Sequence, residues 1–583
     1  MMKRININEI LNQKFKNFIA SKPPIIQNLI IAALKKILYV DKINNIIERF
    51  EHLDTKHFIM ELFEYLNFTF LISNKDLQKI PSHGKVICVA NHPIGSLDSL
   101  IILKAFLDIR KDVKIVANDV IAHLDFLKNH LLAIDLFNKT FQRDNISQIN
   151  KALDEGNAII VFPAAEVSRL KWLRIKDSKW RNGAVHYAQK SNSPLLPVYI
   201  DAKNSILFYI VSIISKKLSM LLLVHELFNK KNKTVRVIIG DIIPAKAFTS
   251  QNLNVNYQTK LLKKHVYQLK KKKANVYLTE KSIIHPIDKK ILKHEINNSQ
   301  YLGSTKDGKK IIITTKQKSP NILCEIARLR ELTFRKVGEG TGKMLDLDRF
   351  DDVYSHLVVW DESELEIVGS YRIGLGNELL NKLGVSGFYT STLFNFSEEF
   401  IKSIMPNSME LGRSFVQEKY WNTYALDYLW QGIGSFLTIN PDIKYLFGPV
   451  SISSTYPNHI IGMIVFYFNK WFSDSSLLAL SKIKFKISES QRAEYANLLC
   501  ANNAKDDYKI LKKMLNLFGY SVPILYKHYS DLCDEDGVNF LDFSIDPDFN
   551  NCVDGLILID ISKIKEEKKF RYIKSKQDVE ILA

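Results

Sequence analysis

Asn91-His92-Pro93-Ile94-Gly95-Ser96-Leu97-Asp98 sets a histidine and an aspartate into one glycine-containing turn. The unbroken apolar run Val86-Ile87-Cys88-Val89-Ala90 leads in, and a helix-like segment over 97–106 leads out. A short, wholly apolar run reads as a strand buried on both faces. The octapeptide is therefore read as the loop of a strand–turn–helix unit, at the end of a sheet where α/β proteins gather their sites. A neutral imidazole held by a carboxylate can take a proton from a hydroxyl, which suits acyl transfer to an alcohol. A purely structural reading stands beside it: Asp98 charge-stabilises or caps the following helix, and His92 is a hydrogen-bonded turn residue.

Outward from this turn, short apolar runs over 85–90, 113–117, 157–162, 195–200 and 234–240 alternate with helix-length segments. That alternation predicts an α/β layered domain over 76–280, preceded by a helical region over 1–75. The polar stretch containing Lys270-Lys271-Lys272-Lys273 and Lys289-Lys290 is read as solvated helix edge, with a linker over 281–310. A second α/β unit is expected over 311–560. Its strands are predicted at 310–315, 357–360, 367–375, 409–416 and 445–450, and its helices at 322–337 and 423–438. A charged tail over 561–583 follows.

The 583 residues are enough for two to four domains with real cores. A formal net charge of +19 favours acidic partners: nucleic acid, anionic lipid or an acidic carrier protein. Five scattered cysteines without a CxxC pair argue against a disulfide framework or zinc site and fit a reducing compartment. Met1-Met2-Lys3-Arg4 leads into polar sequence rather than the apolar core of a signal peptide. No run reaches the roughly 20 apolar residues that span a bilayer. The nearest, 206–224, is broken by Lys216-Lys217 and reads first as a buried helix pair, second as a segment lying in a membrane interface. The same two readings apply to 24–38 and 460–468.

Three further blocks follow the opening turn. They are Phe141-Gln142-Arg143-Asp144, then Val161-Phe162-Pro163-Ala164-Ala165-Glu166-Val167-Ser168-Arg169, then Pro194-Leu195-Leu196-Pro197-Val198-Tyr199-Ile200. In this order the four blocks resemble the glycerolipid (lysophospholipid) acyltransferase family over roughly 75–245. The resemblance implies that His92 is the general base for an acceptor hydroxyl and that Asp98 orients it. It places acceptor binding on Arg143, Glu166 and Arg169, and calls for no metal. Five residues separate His92 from Asp98 where the family usually has four, and Glu166 falls late in its block. These departures resemble the subset of the family that O-acylates N-acyl amino acids. No Gly-x-Ser-x-Gly elbow is present, which argues against an acyl-serine hydrolase.

The second half carries Arg328-Leu329-Arg330, Asp346-Leu347-Asp348-Arg349-Phe350-Asp351, Gly369-Ser370-Tyr371-Arg372 and Glu410-Leu411-Gly412-Arg413. Singly, each reads as a surface or strand salt bridge. In this order they resemble the GNAT-like N-acyltransferases that make ornithine and related amino-acid lipids, over about 310–480. The resemblance implies amide formation between an α-amine and a 3-hydroxyacyl group. Glu410 is the first candidate base, with Asp346, Asp348 and Asp351 as alternatives; Arg330 and Arg413 are candidates for holding the amino-acid carboxylate. The stretch Val416-Gln417-Glu418-Lys419-Tyr420-Trp421-Asn422 lacks the glycines of a pyrophosphate loop. That favours a thioester on acyl carrier protein over acyl-CoA as donor, with no bound cofactor.

The combined expectation is an α/β fusion, a bifunctional acyltransferase of membrane lipid biosynthesis. The C-terminal domain N-acylates an amino acid, ornithine first; the N-terminal domain O-acylates the resulting lyso-lipid. Its expected partners are acyl carrier protein and a lipid surface, at the cytoplasmic face of a bacterial inner membrane. The alternatives are a lysophospholipid acyltransferase with a regulatory C-terminal half and, distantly, a basic nucleic-acid-binding protein. For the latter no reading motif is present.

Overall fold

The computed structural model describes residues 23, 39–118, 125–134, 142–171, 174–249, 253–473, 476–534 and 536–573. At 117–118, 125–126, 133–134, 142–145, 217 and 221 it describes the backbone alone. The chain forms two compact units, Met1–His285 and Pro286–Ala583. Both are α/β.

The first unit opens with helices α1 (Val40–Phe50) and α2 (Thr55–Tyr65). The run 24–38 lies outside the described residues. Seven strands form one sheet: β1 (Thr69–Leu71), β2 (Val86–Ala90), β3 (Val113–Asn118), β4 (Leu131–Ile134), β5 (Ala158–Val161), β8 (Leu195–Asp201) and β9 (Thr234–Ile239). Their order is β1-β9-β8-β2-β5-β3-β4, and every pair is parallel except β8–β9. A hairpin of β6 (Arg169–Lys171) and β7 (Arg174–Lys176) stands apart from the sheet.

Every residue of β2 is buried, because the sheet is covered on both faces. Val86, Cys88 and Ala90 join one cluster, with Leu97 and Ile101 of α3 (Ser96–Leu107). Ile87 and Val89 join the other, with Ile149 and Leu153 of α4 (Gln142–Asp154), Val185 of α5 (Gly183–Ser191) and Leu262 and Val266 of α8 (Val255–Leu269). The two-residue period of a strand splits the run between the two layers. Each fully buried branched side chain contributes about 1.5–3 kcal/mol.

The 206–224 run departs from its first reading. It folds as α6 (Ile206–Ile214) and α7 (Lys216–Phe228), and only Phe208, Tyr209 and Ser212 of α6 are buried. Ile206, Leu207, Ile210, Ile213, Ile214, Leu218 and Met220 are exposed; Ile206 stands 79% and Ile214 77% open to solvent. The apolar content exceeds what the inward face can use, so the buried-pair reading fails. In 460–468 the same reading holds: Ile460, Ile461, Met463, Ile464 and Phe468 are buried. Among the described residues no helix is long and apolar enough to cross a membrane.

The second unit is built on an eight-stranded sheet. Its strands are β10 (Gln300–Ser304), β11 (Lys310–Thr315), β12 (Ser355–Asp361), β13 (Glu366–Leu375), β15 (Ser408–Val416), β16 (Tyr445–Ile452), β18 (Val538–Asp546) and β19 (Cys552–Asp560). β14 (Phe394–Phe396) and β17 (Ala479–Ser481) pair separately. The order is β10-β11-β12-β13-β15-β16-β19-β18, antiparallel except for β15–β16. Helices α9 (Pro320–Val337), α10 (Ala425–Ile439) and α11 (Asn458–Trp471) pack on it. The expected linker over 281–310 instead supplies a helix, Lys289–Asn297, and the edge strand β10. The tail also docks in part: the Tyr572 hydroxyl donates to Asp427 of α10 at 2.8 Å. Residues 574–583 lie outside the described residues.

The parallel pair β15–β16 shares three register positions, ending at Glu410–Phe447. Just beyond, a Cβ on Gly448 would sit 2.0 Å from the Leu411 carbonyl oxygen, so only glycine allows this approach. A cavity of about 300 Å³ opens past this point, with Arg413 and Ser414 on one side and Pro449, Val450 and Ser451 on the other.

Candidate active sites

The turn after β2 is anchored first by Asn91. Its amide donates to the Ile200 carbonyl at 3.0 Å and accepts from the Ile200 N–H at 2.7 Å, stitching the turn to the end of β8. Gly95 then caps α3 with φ 86° and ψ −132°, a conformation closed to L side chains. This lets a five-residue gap turn back on itself. His92 Nδ1 comes to 3.0 Å from Asp98 Oδ2. The same oxygen accepts from the N–H groups of Ile94 at 2.9 Å and Gly95 at 3.0 Å. Asp98 is thus both helix cap and histidine partner, and the two initial readings coexist in one carboxylate. Burial raises its pKa, opposed by His92 and the two backbone donors.

Nδ1 faces Asp98 at ion-pair distance without an aligned hydrogen bond, and Nε2 is the ring nitrogen left for a substrate hydroxyl. The imidazole packs on Phe162, ring centroids 4.5 Å apart, and its side chain is 17% exposed. The 162–169 block lies directly against the turn: Ser168 N–H donates to the His92 carbonyl at 2.7 Å. Glu166 and Arg169 are brought together, carboxylate to Nε at 3.4 Å, with Lys216 at 3.6 Å from the same oxygen. Burial opposes ionisation of Glu166, but Ser178, Lys216 and Arg169 outweigh it and hold the carboxyl below its ordinary range. Arg169 also donates to Ser219 of α7 at 2.7 Å. The side chain of Arg143 lies outside the described residues; its backbone is in the first turn of α4.

Sequence reasoning passed over Asp177. It is buried and receives the Ser168 hydroxyl, the Trp180 indole N–H at 2.8 Å and the His92 N–H at 3.3 Å. It ties the third block to the histidine turn. No short motif surrounds it, so only the fold reveals it.

In the second unit Arg330, Asp346, Asp348 and Arg413 do converge, together with Arg372 and Asp351. Arg330 grips Asp351 at 2.9 Å and lies 3.2 Å from Asp346. Arg372 meets Asp348 at 2.7 Å; Arg413 lies 3.6 Å from Asp346 and 3.7 Å from Asp348. Three arginines balance three aspartates in the interior, the arrangement a buried charge requires. Arg330 and Asp351 are closed off by one another, 1% and 0% exposed along the side chain. Arg413 alone of the six reaches the cavity between β15 and β16.

Glu410 lies outside that cavity lining. It is buried, and its oxygens accept from the Tyr354 hydroxyl, the Tyr389 N–H at 3.1 Å and the Thr390 N–H at 2.8 Å. Burial raises its pKa against these donors. The geometry makes Glu410 the anchor of the 388–390 loop, and Tyr389 of that loop lines the cavity.

Comparison with known proteins matches both halves. Residues 18–275 fit the family model described as acyltransferase, and 329–431 that described as acetyltransferase (GNAT) domain. The chain is 38% identical over 305 residues to a glycine N(alpha)-acyltransferase of Phocaeicola vulgatus, covering 50% of this chain and 93% of that protein. It is 27% identical over 277 residues to a lyso-glycine lipid O-acyltransferase of the same organism, covering 46% of this chain and 95% of that protein. An L-ornithine N(alpha)-acyltransferase of Brucella abortus is 30% identical over 166 residues, 26% of this chain and 57% of that protein. The chain is an enzyme that fuses two acyltransferase domains, and it belongs to the acyltransferase family of the Phocaeicola glycine N(alpha)-acyltransferase.

Proposed function

We propose that this enzyme makes a two-chain N-acyl amino-acid lipid. The C-terminal domain joins a 3-hydroxyacyl group to the α-amine of an amino acid. The N-terminal domain then esterifies the new hydroxyl, with His92 removing its proton and Asp98 holding the ring. The observation that carries this reading is the His92–Asp98 contact at 3.0 Å on a buried cap, with Nε2 left for an acceptor. Glu166, Arg169 and Lys216 form a charged patch beside it, fit to hold a polar acceptor headgroup.

For the amino acid we favour glycine over the ornithine first expected. The relatives named for glycine match the chain at higher identity and over more of its length than those named for ornithine. The donor in this reading is a thioester on acyl carrier protein. Support comes from the glycine-free 416–422 stretch and the +19 charge, which suits an acidic carrier. The enzyme sits peripherally on the cytoplasmic face of a bacterial inner membrane. The exposed apolar stripe of α6 supports this, with exposed Lys171, Arg174 and Lys176 on the neighbouring β6–β7 hairpin. Apolar surface with a basic rim fits an anionic lipid interface.

The test is reconstitution of the full chain with 3-hydroxyacyl carrier protein and either glycine or ornithine. N-acylglycine, followed by its O-acyl ester, is the expected product series. Absence of any N-acyl amino acid refutes the reading.

A further inference from the structure

The cavity between β15 and β16 carries two carboxylates that no motif singled out. Asp554, on β19, is 1% exposed and stands opposite Ser451 of β16 in the sheet register. Its Oδ1 has no hydrogen-bond partner among the described residues. Glu339, just past α9, lines the same space with Tyr389, Arg413 and Phe549. A buried carboxylate oxygen left unbonded is costly unless a ligand donor answers it. Here that oxygen belongs to a residue facing a cavity of about 300 Å³, large enough for a small amino acid.

We propose that this cavity binds the acceptor amine of N-acyl transfer, with Asp554 as its catalytic base and Glu339 as the second carboxylate that receives the ammonium. The proposal rests on the N-acylation reading above. It moves the proton-accepting role from Glu410, whose two oxygens are both occupied, to a carboxylate with a free one. Asp554 takes one proton from the bound ammonium. The freed nitrogen lone pair attacks the thioester carbonyl and forms the C–N bond. Collapse of the tetrahedral adduct breaks the C–S bond, and the second nitrogen proton neutralises the departing thiolate. Arg413 stands at the same wall and can face the substrate carboxylate.

The electrostatics agree with this geometry. Burial, then Asp546 on β18 and Glu339, push Asp554 up to about 8, against Ser451 and Arg413. Burial pushes Glu339 up to about 7, against Arg413. Tyr389 and Tyr526 also interact with Asp554, and burial keeps both phenols protonated. Arg413 offsets only part of the two carboxyls' charge, and a bound ammonium would supply a second cation; a base working near neutrality is the kind proton transfer uses best.

The experiment compares full-length wild type, Asp554→Asn and Glu339→Gln, with glycine and 3-hydroxyacyl carrier protein as probes. Asp554→Asn is expected to lower kcat for N-acylation about 100-fold or more and to remove the rise of kcat/KM with pH. Its thermal midpoint should not fall, because an amide replaces a carboxyl that burial keeps largely neutral. Glu339→Gln should raise the KM for glycine with a smaller change in kcat. Asp554→Asn with wild-type kcat and pH profile overturns the proposal while leaving N-acylation itself intact. Should Asp554→Asn fail to fold, Glu339→Gln decides, and an unchanged KM overturns the assignment. A wild type that acylates no amine removes both the reading and the proposal.

Discussion

Asp98→Asn isolates the carboxylate from the histidine it holds. Asp98 is completely buried, and one of its oxygens meets two backbone donors and His92 Nδ1 within 3.0 Å. The substitution keeps shape and burial but replaces a charged acceptor with a neutral amide. Two effects separate. The helix cap keeps an acceptor oxygen if the amide points its carbonyl at Ile94 and Gly95, so the stability cost should stay near about 1 kcal/mol. The imidazole loses the anion that orients it and stabilises its protonated form. A positioned general base is typically worth about 10²–10⁴ in rate, or roughly 3–5 kcal/mol at 1.36 kcal/mol per decade. O-acyl transfer should therefore fall at least about 100-fold, with the thermal midpoint lower by only a few degrees. The assay uses the full-length protein, an N-(3-hydroxyacyl)glycine acceptor and an acyl thioester, with melting followed by circular dichroism. N-acylation by the other domain is the internal control and should be unchanged. Retention of O-acyl transfer within about threefold of wild type would refute the dyad, because it would mean the contact only caps a helix.

Three further outcomes are expected. Ile210→Asp combined with Ile213→Asp, both on the exposed face of α6, should reduce sedimentation with phosphatidylglycerol vesicles at least about tenfold without lowering the melting temperature. Equal binding would remove the lipid-facing role of this stripe. Arg330→Met should destabilise the second unit by about 3–5 kcal/mol, since it leaves three buried aspartates to two arginines and takes from Asp351 its nearest cation, as denaturant melts of the full chain would show. Asp554 has a folded-state pKa of about 8, above the ordinary aspartate value of 3.8, so the folded state holds its proton more tightly. Its contribution is intact below about 4 and fades as pH rises towards 8. Asp554→Asn should therefore melt progressively above wild type between pH 5 and pH 8; a constant difference across that window would contradict the assignment.

The sheet strands were the most legible part of the chain. Val86–Ala90, Ala158–Val161 and Leu195–Asp201 are buried on both faces, and that leaves unbroken apolar runs in the sequence. The β18–β19 hairpin escaped notice because β19 carries Asp554 inside an otherwise apolar run, and β18 mixes charged with aromatic residues. Asp554 and Asp177 have no motif, and their meaning comes from neighbours distant in sequence, Ser451 for one and His92 for the other. Glu410-Leu411-Gly412-Arg413 was recognisable as a block, but a block does not say which way its charges face. Arg413 adopts a left-handed backbone, φ 47°, and lines the cavity, while Glu410 is spent on the 388–390 loop. For 206–224, composition alone could not separate a buried helix pair from an exposed one. That distinction depends on how much apolar surface the neighbouring elements leave uncovered, and only the fold supplies it.

The central claim is that one chain performs successive N- and O-acylations. Lipid mass spectrometry of a bacterial host without amino-acid lipids, expressing wild type or His92→Ala, tests it most directly. Wild type should yield a diacylated amino-acid lipid, and His92→Ala should accumulate its mono-acyl form. Diacyl lipid in the His92→Ala strain, or no amino-acid lipid in the wild-type strain with the protein folded, would contradict the account.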